Sequence, residues 1–179
     1  MAESRASHRY AKALLELAIE QGVLEQVNED MSAFVKVCNE NREFELMLKS
    51  PIVPHYKKLS ILEAIFKGKI HSISFSMFEI ITRKNREAIL KDIAISFGDL
   101  FNIHHNIQVA ELITTFEIDE QTRNKFKKIV EETTGKKVDL REKIDRSLIG
   151  GYVLKIADQQ IDESVKNKLR KIKMDLFQN

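Results

Sequence analysis

The chain has a single cysteine, Cys38, so it can form no internal disulfide, and this usage points to a reducing compartment. Proline is confined to Pro51 and Pro54, and only six glycines occur. Turn-rich sandwiches and barrels need more of both, which favours long helices. No apolar run approaches the roughly 18–20 residues that cross a bilayer, so membrane association is expected only through partners, without direct insertion. The N-terminal stretch passes straight into a helical pattern with no signal-peptide apolar region, and is read as carrying no leader. Charge of one sign is also missing. Twenty-nine basic residues stand against 27 acidic ones, and a net +2 makes no field that would draw DNA or anionic lipid.

Chemistry-bearing motifs are scarce as well. The five histidines (His8, His55, His71, His104 and His105) include no H-E-x-x-H pair and no Cys/His set at zinc spacing. His104 and His105 adjoin at a predicted helix end and are expected to point apart, in solvated or capping roles. Cys38 sits on a predicted helix with no basic cluster nearby, which reads as a buried thiol rather than a nucleophile. No nucleophile elbow or kinase signature is present. Gly150-Gly151 could suggest a phosphate cradle, but Tyr152-Val153 follows where a P-loop needs Lys-Ser/Thr and a helix. The one basic concentration, Lys125, Lys127, Lys128, Lys136 and Lys137, surrounds Phe126 and is offset by Glu131, Glu132 and Asp139. Phe126 keeps helical spacing to Ile129 and Val130, so it reads as core, not as a base-stacking platform. The expectation is a non-enzyme with no catalytic residue, no metal, no cofactor and no nucleic acid.

What remains is patterning. A composition of 43% hydrophobic and 31% charged residues over 179 positions fits a globular, highly charged protein of one ordinary or two small domains. Ser4 or Ser7 is a candidate cap for a first helix, and Gly22 its terminator. From Arg9 to Glu20 its charges fall on one narrow stripe, leaving apolar surface around most of the circumference. A surface helix buries an arc of somewhat over ~100°. Either this is the central helix of a bundle, or one flank packs inside while another awaits a partner helix, and core is the commoner fate of an apolar stripe. Val27, Met31, Phe34 and Val35 mark a second helix, and Glu43–Lys49 a short third. Ser50-Pro51-Ile52-Val53-Pro54 is a stop. His55–Lys67 resumes a helix on Leu59, Leu62, Ile65 and Phe66; Ile73, Met77, Ile80 and Ile81 mark a fifth; Glu87–His105 forms a sixth. The class is mainly α, with a six-helix bundle over 1–105.

Near Asn106 the period changes. Ile107 to Phe116 reads as a strand with a face switch, a bulge, near Glu111. Asp119 can cap a helix bearing Phe126, Ile129 and Val130, ended by Gly135. Val138, Leu140 and Ile144 alternate as a half-exposed strand. Tyr152, Leu154 and Ile156 form another, opened by two glycines that imply positive φ or a close backbone neighbour. Asp158-Gln159-Gln160 reads as a polar turn. Asp162 then caps a helix with a stripe of Val165, Leu169, Ile172 and Leu176. The second domain, 106–179, is thus a small α/β layer with a three-stranded sheet and two helices.

Leu148-Ile149-Gly150-Gly151-Tyr152-Val153-Leu154-Lys155-Ile156-Ala157-Asp158, followed by Ile161-Asp162-Glu163-Ser164-Val165, resembles the signature of the delta subunit of the F-type ATP synthase, the family of the mitochondrial oligomycin-sensitivity-conferring protein. Arg9-Tyr10-Ala11-Lys12-Ala13-Leu14, Ser50-Pro51 and the Asn85-Arg86 turn occur in family order ahead of it. Thr114-Thr115-Phe116 departs from the small Ser-Ala pair common after the first strand. The resemblance implies a peripheral-stalk (stator) subunit, one copy per complex, that links the catalytic head to the b subunits so that the head does not turn with the rotor. It implies that the N-terminal bundle binds N-terminal helices of alpha subunits and the C-terminal domain meets the C-terminal ends of b subunits. It places the chain on the cytoplasmic face of a bacterial inner membrane. For the alpha groove it implies Ala11, Leu14, Leu15 and Ala18 on the first helix and Ile73, Met77 and Ile81 on the fifth. Gly150, Gly151, Asp162 and Ser164 become structural signature residues. A free-standing helical adaptor is the alternative; it explains the bundle and leaves the C-terminal signature unexplained.

Overall fold

The computed structural model describes residues 2–156 and 159–177, apart from the side chains of 2–4 and 175–177. The protein is mainly helical with a small sheet, and its contacts divide it into two units, Met1–Phe101 and Asn102–Asn179. The first holds α1 (Ala2–Glu20), α2 (Leu24–Glu40), α3 (Arg42–Lys49), α4 (His55–Phe66), α5 (Ser72–Arg83), a 3-10 turn (Glu87–Ile89) and most of α6 (Leu90–His104).

Helix α1 begins before both serines proposed as its cap, and Ser7 lies inside it, 1% exposed. It ends in a left-handed turn at Gly22, φ +68°, with Val23 N–H donating to Ala18 O at 3.0 Å, the bond that closes a Schellman motif. Asn41 ends α2 and caps α3 through Oδ1, which accepts from Phe44 N–H at 3.2 Å. The interior is organised on Phe34 of α2. Its ring meets Phe44 of α3, Phe66 of α4 and Phe78 of α5 at centroid distances of 6.1, 5.4 and 4.6 Å. Four helices thus converge on one side chain, and each such pair adds about 0.5–1.5 kcal/mol beyond the area it buries.

Lys58 breaks the expected pattern. Helical spacing assigned α4's inner face to apolar residues, yet this lysine is 2% exposed. Its ammonium donates to Leu48 O at 2.9 Å, to Ser50 O at 2.7 Å and to Glu87 Oε1 at 2.5 Å. Three acceptors satisfy all three N–H bonds, which makes burial of the charge tolerable. One side chain thereby ties the end of α3, the proline loop and the 3-10 turn to α4. Glu87 Oε2, buried beside it, has no partner among the described residues.

The second unit runs β1 (Ile107–Thr114), α7 (Glu120–Thr134), β2 (Lys137–Ile144), β3 (Tyr152–Ile156), β4 (Gln159–Asp162) and α8 (Val165–Phe177). The sheet has four strands in the order β2-β1-β3-β4, not three. β4 was missed because it is a short polar edge, antiparallel to β3, with no apolar face to bury. It occupies Gln159 and Gln160, where a turn was expected; Ala157 and Asp158 lie outside the described residues. β1 pairs with β2 in parallel through the α7 crossover and with β3 antiparallel, one to one across Glu111. There is no bulge. The change of period in β1 comes from its central place in the sheet, where Leu112 and Ile113 point to opposite faces and both are buried. Asp119 caps α7 by accepting from Thr122 N–H at 3.3 Å, and Gly135 ends it at φ +66°. The small core is Ala110, Leu112, Val130 and Leu154, with Phe126 packed edge-on against Tyr152 at 4.8 Å. Ile144, expected inside, is 48% exposed because β2 is the other edge strand.

The buried pair yields a stability prediction. Lys58→Met strands the Glu87 carboxylate and should lower urea stability by about 3–5 kcal/mol, the usual penalty for breaking a buried pair on one side. Adding Glu87→Leu should recover most of that loss. A cost below about 1 kcal/mol for Lys58→Met would show that the pair is not the tie described.

Candidate functional site

Between α1 and α5 runs an open groove of about 490 Å³, lined by Tyr10, Ala13, Leu14, Leu17 and Gln21 on one side and Ser72, Ile73, Ser76, Met77 and Ile80 on the other. Each set falls at the spacing of one helical face. Tyr10 lies at the C-terminal end of α5, where Arg86 Nη1 donates to its hydroxyl at 3.0 Å and Lys84 Nζ stands 5.9 Å from its ring centroid. The two helices therefore run antiparallel. From Tyr10 to Gln21 the groove is about 17 Å long, three turns at 1.5 Å per residue.

Its floor is closed and its rims are not. Leu14, Ile73 and Met77 are 3%, 8% and 9% exposed, while Leu17 and Ile80 stand 40% and 49% exposed above them. Three of the seven candidate groove residues, Leu14, Ile73 and Met77, thus line it. The other four do not: Ala11, Leu15, Ala18 and Ile81 are packed into the bundle core. Each follows a lining residue by one position (Tyr10, Leu14, Leu17 and Ile80), a rotation of about 100° that carries it from groove to interior. Tyr10, Ala13, Leu17, Gln21, Ser72, Ser76 and Ile80 were missed. Leu17 and Ile80 carried a signal, being apolar residues off the stripe that the core uses.

The groove wall is fixed from behind by a residue of α2. Asp30 Oδ2 accepts from His71 N–H at 2.8 Å and from Ser74 Oγ at 2.6 Å. His71 Nδ1 accepts from Ile73 N–H at 3.3 Å, so this histidine caps α5. The start of α5 is thereby held against α2.

In the second unit, Gly150, Gly151, Asp162 and Ser164 meet. Gly151 has φ +77°, and a Cβ there would lie 2.3 Å from Glu163 O and 3.0 Å from Ser164 Cα. The close approach lets Glu163 N–H donate to Tyr152 O and Val165 N–H to Gly150 O, both at 3.0 Å. The cap of α8 is Ser164, whose Oγ accepts from Asn167 N–H at 3.2 Å; Asp162, expected there, instead accepts from Ser164 N–H at 3.0 Å. Asp162 is the last residue of β4, two positions before the cap, so its carboxylate closes the turn into the helix and does not cap the helix itself. Hydrogen bonding from Ser164 holds the Asp162 carboxyl below the usual aspartate range. Its contribution to stability is therefore present above that range and is lost as pH falls through the lowered value. The α8 stripe is largely open: Val165, Leu169 and Ile172 are 38%, 55% and 55% exposed, and none belongs to the core cluster. The Leu176 side chain lies outside the described residues.

Other candidates carry no chemistry. Cys38 is 1% exposed, and burial pushes its thiol up to about 11, which suppresses the thiolate. The His104 and His105 rings do not point apart; they meet edge to face at 5.2 Å, because α6 ends at His104 and the chain turns through Asn106 at φ +55°. No group of three or more metal-ligating side chains occurs among the described residues.

Comparison with known proteins covers almost the whole chain. The family model described as ATP synthase delta (OSCP) subunit matches residues 6–176. ATP synthase subunit delta of Cytophaga hutchinsonii is 44% identical over 173 residues, covering 97% of this chain and 94% of its own. The same subunit of Amoebophilus asiaticus is 35% identical over 170 residues, covering 94% and 92%. In fold, a chain of the Toxoplasma gondii mitochondrial ATP synthase hexamer superposes with a TM-score of 0.75 at 21% identity, over 96% of this chain and 97% of that one.

The glycine contact can be tested directly. Gly151→Ala forces a Cβ into a backbone carbonyl at positive φ, and should destabilise by about 1–3 kcal/mol or more, the scale of a strained backbone position. Gly22→Ala, at φ +68° with nothing within 4 Å, carries only the conformational part. Equal losses in thermal unfolding would contradict the close approach.

Proposed function

The chain belongs to the ATP synthase delta (OSCP) subunit family and is a non-catalytic peripheral-stalk component of F-type ATP synthase; on that premise we propose which of its surfaces hold the complex together. The groove between α1 and α5 seats the amphipathic N-terminal helix of an alpha subunit. The observation that carries this is the pairing of a closed apolar floor with two half-exposed rims, Leu17 and Ile80, along three helical turns. An amphipathic helix placing apolar residues at i, i+3, i+4 and i+7 matches that length and chemistry.

The second unit meets the C-terminal ends of b subunits, and the exposed stripe of α8 is the surface we assign to them. We place the protein on the cytoplasmic face of a bacterial inner membrane, one copy per complex. No helix among the described residues is long and apolar enough to cross a membrane, so partners hold it there.

Such a subunit works mechanically. Torque on the rotor turns the catalytic head unless something resists, and a clamp resists if neither of its two interfaces slips. A standard interface buries roughly 1,600 Å² in total, and a few central apolar anchors dominate its strength.

Calorimetry with the alpha N-terminal peptide tests the groove. Leu17→Ala and Ile80→Ala should each weaken binding about tenfold or more, the loss expected of an anchor near 1.4 kcal/mol. Lys12→Ala, on the exposed stripe, should change it little. Leu15→Ala should instead lower folding stability by about 2–5 kcal/mol, as a core truncation does. Unchanged affinity in both rim variants would overturn the assignment.

A further inference from the structure

One residue of the second unit sits on a backbone that does not suit it. Among the described residues, positive φ falls on four glycines, on Asn85 and Asn106, and on Ile149. Glycine lacks the Cβ that clashes there, and asparagine is one of the few side chains that tolerate the region; a β-branched residue is an outlier. Ile149 has φ +68° and ψ −34°, outside even the left-handed helical well. Both flanks impose this conformation. Ahead of it, the 3-10 turn Arg146–Leu148 is fastened to the sheet through Asp145, whose N–H donates to Thr114 O at 2.8 Å and whose carboxylate accepts from Ser147 N–H at 2.9 Å. Behind it, Gly150 O accepts from Val165 N–H at 3.0 Å, and Gly151 lies against the Glu163 backbone. Strain of this kind persists only where the surroundings over-determine it. A glycine would meet the same geometry without the steric cost. Isoleucine stands there instead, 69% exposed and outside the core of its unit.

A lone exposed isoleucine needs no explanation, but this one is not alone. A Cβ on Gly150 would lie 3.1 Å from Val165 Cγ2, so Ile149 stands beside the residue that opens the apolar stripe of α8. Leu169 and Ile172 carry that stripe along the helix, each 55% exposed. We propose that Ile149 is an anchor of this surface: the strained loop holds its side chain out at the start of α8, where it packs against the apolar face of the C-terminal end of a b subunit. The inference rests on the assignment of the α8 stripe to b and adds to it a residue retained for binding against its own backbone preference. A β-branched side chain on a clamped backbone has little freedom left to lose, so its burial by a partner goes largely into affinity.

The test uses the full chain and a synthetic peptide of about 30 residues from the C-terminal end of the b subunit, longer as a helix than α8 itself. Calorimetry reads its affinity, and thermal unfolding reads the stability of each variant. Ile149→Gly and Ile149→Asn both suit the backbone and both remove the apolar side chain. Each should melt at or above the temperature of the parent chain, because strain is relieved and no burial is lost. Each should also bind the peptide about tenfold more weakly, as loss of an anchor does. Ile149→Met keeps an apolar side chain and should bind within about threefold of the parent. Leu169→Ala, on the stripe itself, should weaken binding in its own right. Undiminished affinity in the Gly and Asn variants, beside a weakened Leu169→Ala, overturns the anchor and leaves the α8 assignment standing. A fall in melting temperature of about 5 °C or more in both variants makes the side chain structural and overturns the anchor as well. Failure of the peptide to bind the parent chain, or unchanged affinity in all the variants, overturns the α8 assignment, and the anchor with it.

Discussion

Helix α1 has more apolar surface than one bundle can cover. Successive residues turn by about 100°, so Ala11, Leu14, Leu15 and Ala18 can face the interior only by leaving Ala13 and Leu17 on another flank. α5 repeats the situation, with Phe78 and Ile81 sealed and Ile80 outside. Where the two helices lie side by side, their uncovered flanks meet, and a slot results. It is a by-product of packing two such helices around the Phe34 cluster, and no described residue of the first unit fills it.

A slot serves as a clamp only if its walls hold still. Two polar devices provide this. Asp30 pins the first turn of α5 to α2 through His71 and Ser74. Lys58 joins α3, the proline loop and the 3-10 turn to α4 with three bonds from one ammonium. Buried donors of this kind need partners, and those of Lys58 find theirs on three different elements, which favours one arrangement of the helices. Preorganisation of that kind reduces the ordering that a partner would otherwise have to drive, leaving more of the apolar burial, roughly 25 cal/mol per Å², for affinity. The second unit is built more sparingly, on four fully buried apolar side chains and on the backbone approach at Gly151. Its last helix is tied to the sheet through Gly150, Asp162 and Ser164, and its apolar stripe faces outward.

Helices were legible because their apolar period is long and repeated, as in α2 with Val27, Met31 and Phe34. Their rotation was less so. A stripe read from spacing locates a face to within one residue, and one residue separates Leu14 on the groove floor from Leu15 in the core. Lys58 was illegible because its burial depends on carbonyls and a carboxylate up to 29 residues away, which no local pattern records. β4 carries no alternation because it is an edge of polar residues, and the apparent bulge in β1 was a central strand buried on both faces. Gly151 stood out in the sequence because only glycine tolerates that backbone; the serine that caps α8 was mistaken for its neighbour two residues earlier.

The most direct measurement is photo-crosslinking in the intact synthase, with a benzophenone side chain placed at Leu17, on the groove rim, and in a second preparation at exposed Lys36 on α2. The expected result is an adduct between position 17 and the N-terminal segment of an alpha chain, with none to that segment from position 36. An adduct from position 17 to a different subunit, or none at all while the complex is assembled, would contradict a groove that grips the head.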